Sequence, residues 1–328
     1  MSATPPNEQI SVVVPLYNSA QFIQETLDSI LAQSFRDIRV YVIDDLSTDG
    51  SAAIVKKIAQ NDKRVLYNIM PKKGGCPAPT KNEGVRLAHG EFVAFCDHDD
   101  WWDPEKLMRQ VTYFHEHPRV NLLGCNVEII DTQKGRSLGT FWQRPEQITE
   151  ATIRQLVLDG PIFATTTCII GRREFLRQHP FDERLLGSDE YDLSLHAALD
   201  DPRQVAVLPQ TLAFWRWHSD SLSHSDTAAG RALEDETLFA KKVLGRSDLS
   251  DTERAQVQAR LTMVTRRAAN AELARGDLDS AIGNYLAAAE NGDRLSKILL
   301  HGTKFSPAFT RRFVNWKRSR SHAKPTFR

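Results

Sequence analysis

Cysteine is scarce here and shows no pairing pattern. Cys76, Cys96, Cys125 and Cys168 lie far apart, with no Cys-x-x-Cys among them. This argues against a disulfide framework or a thiolate zinc site and makes a reducing cytoplasm the expected compartment. No apolar run approaches the ~20 residues of a spanning helix. The opening Met1-Ser-Ala-Thr-Pro-Pro-Asn-Glu8 has no basic region followed by an apolar stretch, so no secretory signal is expected. Neither Gly-x-Gly-x-x-Gly after the first strand nor Gly-x-x-x-x-Gly-Lys-Ser/Thr occurs, which removes the main support for a dinucleotide or P-loop site. Acid is missing from the end of the chain: Arg294 to Arg328 carries ten Lys/Arg and no Asp or Glu.

That last absence hides behind a net charge of zero. Residues 1 to 293 hold 32 basic and 42 acidic residues, so an acidic body precedes a basic tail. Such a tail is expected to meet an anionic surface or to be a solvated end. The tail interleaves its charges with Ile298-Leu-Leu300, Phe305, Phe309, Phe313, Val314 and Trp316, a composition that fits a helix lying on an anionic bilayer. No nucleic-acid reading module is recognisable in it, so no nucleic acid partner is expected. The 328 residues predict about two domains at roughly 150 residues each. Hydrophobic and charged fractions of 41% and 26% argue against wholesale disorder.

The first half alternates short apolar strands with helical periodicity. Strands are predicted at Ile10–Pro15, Ile38–Ile43, Arg64–Ile69 and Glu91–Cys96. Helices are predicted from Asn18 or Ser19 to about Gln33, from Thr48 or Asp49, and from about Lys81 to a C-cap at Gly90. This order predicts an α/β fold: a Rossmann-like, mostly parallel sheet with helices on both faces. Pro104 opens a further helix. Strands are then expected over 120–130, 164–170, Val205–Leu208 and Thr211–Trp217, with helices at 149–159 and Asp189–Leu199. From about Thr227 the pattern is helical, and residues 274–290 look like the turn and second helix of one tetratricopeptide unit.

In an open parallel sheet, ligands sit beyond the carboxyl ends of the strands. Here those ends are polar: Pro15-Leu-Tyr-Asn18, Asp44-Asp45, and Asp97-His98-Asp99-Asp100, with Lys72-Lys73-Gly74-Gly75 after the third strand. Three carboxylates in four residues repel one another unless a cation offsets them, and Mg²⁺ or Mn²⁺ prefers such oxygen ligands beside phosphates. The alternative is a capping turn before Trp101-Trp102-Asp103-Pro104, which Asp103 alone would satisfy. Taken alone, Asp44-Asp45 reads as solvated acids ahead of a cap at Thr48 or Asp49, and Asp189-Glu190 as helix N-terminal acids, rather than as site residues. Trp101 and Trp102 are either core or the wall of an acceptor cleft, since sugar faces stack on aromatics.

Taken together, Val12-Val-Val-Pro-Leu-Tyr-Asn18, Ile43-Asp-Asp-Leu-Ser-Thr-Asp-Gly-Ser51, Pro79-Thr-Lys-Asn-Glu-Gly84, Gly90 to Asp100, Phe181-Asp-Glu, Ser188 to Leu195 and Phe214-Trp-Arg-Trp-His218 resemble the family 2 glycosyltransferases of GT-A fold, over about residues 9 to 224. The resemblance implies an inverting transfer of a sugar from a nucleotide-sugar, commonly a UDP-sugar, to an acceptor hydroxyl in bacterial-type cell-surface polysaccharide or glycolipid synthesis. The acceptor would be a saccharide or a lipid-linked saccharide, met on the cytoplasmic side or the inner face of the plasma membrane. It implies a nucleotide pocket bordered by Pro15, Tyr17 and Asn18, with Asp45 on the uracil, Asp44 nearby, and Lys81 where an arginine is usual. Asp97-His98-Asp99 stands in for Asp-x-Asp, with Asp99, assisted by Asp97, on a divalent cation, Mn²⁺ or Mg²⁺. Glu190 aligns with the usual Asp base and Asp189 is the reserve; Arg216 and His218 fall where a loop closes over the diphosphate.

The expected domains are a disordered 1–8, a catalytic 9–226, a helical 227–293 and a basic amphipathic tail, 294–328. Two alternatives stand beside this reading. One is a haloacid-dehalogenase-like phosphohydrolase with Asp97 as nucleophile, though Asp100 falls where that family wants Thr or Val. The other is a non-catalytic binding module.

Overall fold

The computed structural model describes residues 10–218, 228–308, 310 and 314. In chain order the first compact unit runs β1 (Ile10–Leu16), α1 (Ile23–Leu31), β2 (Ile38–Asp44), α2 (Ser51–Asn61), β3 (Val65–Ile69), α3 (Ala78–Leu87), β4 (Phe92–Phe95), β5 (Trp101–Trp102) and α4 (Lys106–Glu116). It continues with β6 (Leu122–Asp131), β7 (Arg136–Thr140), α5 (Glu150–Asp159), β8 (Ile170–Arg172), α6 (Arg173–Gln178), α7 (Asp189–Asp200) and β9 (Val205–Trp217). The expected segment 1–8 lies outside the described residues.

One sheet holds every strand, in the order β3-β2-β1-β4-β8-β6-β9-β5, with β7 paired to β6. β1 pairs in parallel with β2 and β4, β2 with β3, and β6 with β9. The short β5, β7 and β8 run the other way. All seven positions of β1 are buried, as expected for a central strand covered on both faces. α1 buries Ile23, Thr26, Leu27 and Ile30 along one stripe. α3 lies close enough to β1 that a Cβ on Gly84 would fall 2.3 Å from Val13 Cγ1, so only glycine fits there.

Three local departures from the sequence reading have physical causes. α1 begins at Ile23 because a turn over 20–22 comes first, with Ser19 O accepting from the Phe22 and Ile23 amides, both at 3.0 Å. Residues 205 to 217 form one strand, and the Pro209-Gln210 interruption appears as a register shift against β6 between Cys125 and Asn126. The segment expected as a strand at 164–170 is instead a 3₁₀ turn, Thr166–Cys168, leading into the three-residue β8.

The second compact unit comprises Leu185–Ser188 and the chain from Ser219 to Thr326. Its helices are α8 (Ala228–Leu244), α9 (Asp251–Arg275), α10 (Leu278–Glu290) and α11 (Arg294–Phe305). Ser250 and Glu253 form a capping box at the start of α9, and Gly276 closes it with φ 93°. Ala269, Leu273, Ala281, Tyr285, Leu299 and Val314 make one buried cluster, so α11 packs into the same core as α9 and α10. Asp235, 2% exposed, accepts hydrogen bonds from the amides of Leu186 (2.8 Å) and Gly187 (3.2 Å). Among the described residues no helix is long and apolar enough to cross a membrane.

Candidate active site

The parallel order places the carboxyl ends of β1, β2, β4 and β9 on one rim. β4 stops at Phe95 and the chain turns through Asp97–Asp100 into β5. Side chains of α1 and the loop before it hold the turn by its backbone: Ser19 Oγ and Thr26 Oγ1 donate to His98 O, and Thr26 Oγ1 also lies 2.7 Å from Asp100 O.

The three carboxylates of the turn have different environments. Asp100 is 1% exposed and accepts from Thr167 Oγ1 (2.6 Å) and the Arg216 amide (2.9 Å), so it braces the turn. Burial, then the charges of Asp99 and Asp97, push its carboxyl well above the usual range. Asp97 receives Thr165 Oγ1 (2.5 Å) and Thr167 Oγ1 (3.2 Å) on Oδ2 and points its amide at Thr167 Oγ1 (3.0 Å). Asp99 Oδ2 lies 3.0 Å from His218 Nε2, and Oδ1 lies 3.9 Å from His98 Nδ1. Burial opposes its ionisation, but His98 and His218 outweigh that and hold its carboxyl below the usual range.

Arg216, on β9, is buried beside this turn. Its Nε donates to Asp99 O, it pairs with Glu25 at 2.8 Å, and its guanidinium lies 4.3 Å from the Trp101 ring centroid and 5.0 Å from that of Phe22. Trp101 is half-buried and stacks on Phe214 at 5.2 Å and 9°. Trp102 is 2% exposed and donates its indole N–H to Thr167 O at 2.8 Å, which turns it into the core. The loop after His218 lies outside the described residues.

On the β1–β2 side, Pro15 is buried within β1. Asn18 joins the neighbouring loop: its amide donates to Ser47 Oγ and its Oδ1 accepts from the Thr48 amide. Asp44 is braced by Tyr67 Oη (2.5 Å) and the Ser47 amide (2.8 Å). Asp45 Oδ1 accepts from the Gly74 amide at 2.6 Å, tying the Lys72–Gly75 loop to the rim. Tyr17, 38% exposed, receives Lys73 Nζ on its Oη at 2.6 Å.

Lys81 is 2% exposed and its ammonium reaches both oxygens of Asp189, at 2.9 and 3.0 Å, and Thr166 Oγ1 at 2.6 Å. Burial works against its charge, but Asp189, Asp97 and Glu190 together leave its pKa raised. Asp189 is thereby compensated. Glu190, next along α7, is compensated less: burial, then the Asp189 charge, push its carboxyl well above the usual range against the smaller pull of Lys81. A carboxyl whose pKa is raised is, once ionised, a stronger base than an ordinary glutamate.

Among the described residues no three His, Cys, Asp or Glu side chains form a ready-made metal cage. A cation bound through one or two carboxylates plus phosphate oxygens and waters needs none, and the hard oxygens of Asp97 and Asp99 fit that mode. The sequence reading missed Thr165, Thr166, Thr167 and Tyr67, whose uncharged hydroxyls carried no signal, and Glu25, a single acid on the largely exposed side of α1.

Comparison with known proteins bears on this arrangement. The family described as Glycosyl transferase family 2 matches residues 11–179. A Mycobacterium bovis protein is 28% identical over 221 residues, spanning 66% of this chain and 61% of its own length. Bacillus subtilis TuaG, provisionally named a teichuronic acid biosynthesis glycosyltransferase, is 31% identical over 140 residues, 43% of this chain and 54% of that protein. The chain thus matches less than two thirds of the length of these relatives. Among solved structures, Staphylococcus aureus TarS 1-349 in complex with UDP-GlcNAc is similar at a TM-score of 0.68 and 21% identity, covering 97% of this chain and 93% of that one. A Pyrobaculum calidifontis mannosyltransferase in complex with GDP-Man and Mn²⁺ is similar at a TM-score of 0.57 and 19% identity, over 93% and 83%. The sheet order and flanking helices are those of the GT-A fold.

Proposed function

Because the chain belongs to glycosyl transferase family 2, we propose that it moves a sugar from a UDP-sugar to an acceptor hydroxyl, with inversion, in the synthesis of a cell-surface polysaccharide. The observation that carries this reading is the arrangement on α7: both oxygens of Asp189 accept from Lys81 within 3.0 Å, which leaves Glu190, the next residue, as the stronger base once ionised. The name of TuaG and the ligand of the TarS structure support the pathway and the donor class.

In this mechanism Asp45 orients the nucleobase and the Lys73–Tyr17 pair borders the nucleotide. Trp101 offers a ring face to the acceptor. The acceptor oxygen attacks the anomeric carbon as the bond to the diphosphate oxygen breaks, and its proton passes to Glu190. A single displacement inverts the configuration. Asp99, assisted by Asp97, would hold Mn²⁺ or Mg²⁺, which when bound offsets the charge of the departing diphosphate as a Lewis acid. His218 and Arg216 fix Asp99 by its carboxylate and its carbonyl. The family match over residues 11–179 is what favours this reading over a phosphohydrolase with Asp97 as nucleophile.

Calorimetric titration with UDP, with and without MnCl₂, tests the reading. The intact protein is expected to bind UDP in a Mn²⁺-dependent way, and Asp99→Ala to lose that dependence. Equal binding with and without the ion sinks the metal assignment. Glu190→Gln is expected to keep UDP binding while transfer falls about 10²–10⁴-fold.

The acceptor side of the proposal includes an anionic bilayer surface on the cytoplasmic face. Arg294, Lys297, Ile298, His301 and Lys304 share the exposed side of α11, with Ile298 68% exposed. Replacing Arg294, Lys297 and Lys304 by Glu leaves Leu299 packed and reverses the charge. Flotation with phosphatidylglycerol vesicles should drop to background; unchanged flotation, or none by the parent protein, removes the membrane from the proposal.

A further inference from the structure

Three consecutive threonines enter the site, and no charge marks them in the sequence. Thr165, Thr166 and Thr167 are 9%, 2% and 0% exposed, at the start of a single 3₁₀ turn between α5 and β8. Their hydroxyls diverge. Those of Thr165 and Thr167 face the β4 end, at 2.5 and 3.2 Å from Asp97 Oδ2, and that of Thr167 also meets Asp100 Oδ2 at 2.6 Å. The hydroxyl of Thr166 faces the other way and accepts from Lys81 Nζ at 2.6 Å, beside Asp189.

The turn itself is held firmly. The Thr167 amide donates to Thr165 Oγ1 at 3.3 Å, Trp102 donates its indole N–H to Thr167 O at 2.8 Å, and Gln110 Nε2 donates to Cys168 O at 3.0 Å. A rigid segment of three residues therefore touches both carboxylate groups that the reaction needs in register: the Asp97–Asp100 turn on one side and the Lys81–Asp189 pair that flanks Glu190 on the other.

We infer that Thr165, Thr166 and Thr167 are positioning residues that set the distance between the diphosphate-side carboxylates and the base. This rests on the glycosyl-transfer reading above. Thr165 and Thr167 orient Asp97 and brace Asp100, so they govern capture of the nucleotide diphosphate. Thr166 holds the Lys81 ammonium against Asp189, so it governs placement of Glu190 and acts on turnover.

The test replaces each threonine by valine, which keeps the branched shape and removes the hydroxyl, and by serine, which keeps the hydroxyl. Two probes are read on the full chain: UDP with MnCl₂ by calorimetry, and UDP release from UDP-GlcNAc. Thr165→Val and Thr167→Val should weaken Mn²⁺–UDP binding about tenfold, and Thr166→Val should leave it within about twofold while kcat falls about tenfold at unchanged KM. The serine variants should recover most of each loss. Thermal melts of all six identify a valine variant that has merely unfolded, and the serine variant at that position then decides: it must match the parent in both readouts. The inference is overturned if Thr166→Val weakens binding as much as turnover, or if Thr165→Val and Thr167→Val bind as the parent does. A parent protein that binds no UDP with Mn²⁺ removes the glycosyl-transfer reading itself and this inference with it, whereas a parent that binds alongside indifferent valine variants removes this inference alone.

Discussion

Replacing Lys81 by methionine should destabilise the catalytic unit more than any other single change at the site. The ammonium and the Asp189 carboxylate are each 2% exposed, and both carboxylate oxygens lie within 3.0 Å of Nζ. Methionine fills much the same volume but leaves a buried carboxylate uncompensated beside Glu190. Removing one partner of a buried pair costs about 3–5 kcal/mol. For a unit of this size each kcal/mol moves the midpoint by about 2–4 °C, so the transition should fall by about 6–20 °C. Adding Asp189→Leu should recover most of it, because replacing both partners by apolar groups is about neutral or better. The raised Lys81 pKa fixes the sign with pH. The charge contributes fully below the ordinary lysine value and is lost only as pH rises through the folded-state value, so titration of Lys81 itself should not narrow the gap between parent and variant below about pH 10. Scanning calorimetry of the full chain reads both numbers. A Lys81→Met protein melting within 2 °C of the parent (about 1 kcal/mol or less), or a double variant as unstable as the sum of the singles, would refute the buried-pair account.

Other outcomes follow from the same geometry. Glu190 has a raised carboxyl, so kcat should fall as pH drops through that value, with an acid limb above the ordinary glutamate range. The same shift means that ionising Glu190 costs the folded state, so Glu190→Gln should gain in melting temperature relative to the parent as pH rises above the unfolded value of 4.5. Gly84→Ala puts a Cβ 2.3 Å from Val13 Cγ1 and should cost about 1–3 kcal/mol in urea titration, with partial recovery in the Val13→Ala background. Ser250→Ala removes the half of the α9 capping box in which Ser250 Oγ accepts from the Glu253 amide, leaves the Glu253 side chain on the residue-250 amide, and should cost about 0.5–2 kcal/mol, detectable as faster amide exchange in the first turn of that helix.

The sheet and its acidic rim were legible because their signals are local. β-branched runs mark β1 and β2 and a short apolar run marks β4, and each ends in a polar cluster that a parallel sheet must deliver to one edge. Asp97-His98-Asp99-Asp100 declared itself by charge density, yet its members could not be told apart. Only the fold reveals that Asp100 is spent on Thr167 and the Arg216 amide while Asp99 faces His218. Lys81 illustrates the same limit. Its type marked a cation at the rim, but its partner lies 108 residues away, and the pairing decides which acid of α7 is left to act. Trp101 and Trp102 read alike as neighbours; strand alternation sends one to the half-open face and the other into the core. The tail's aliphatic run divided in the same way: Leu299 joins the Tyr285 cluster, and Ile298 stays outside.

The helical unit draws its first four residues, Leu185–Ser188, from upstream of α7 and the remainder from downstream of β9. Cutting the chain after His218 to obtain a minimal enzyme would therefore delete Asp235 and take from the amides of Leu186 and Gly187 their acceptor, two residues before the helix that bears Glu190. Swapping accessory halves between relatives faces the same obstacle. A recombination point at residue 218 moves one piece and strands the other, so viable chimaeras should be those that exchange both stretches together.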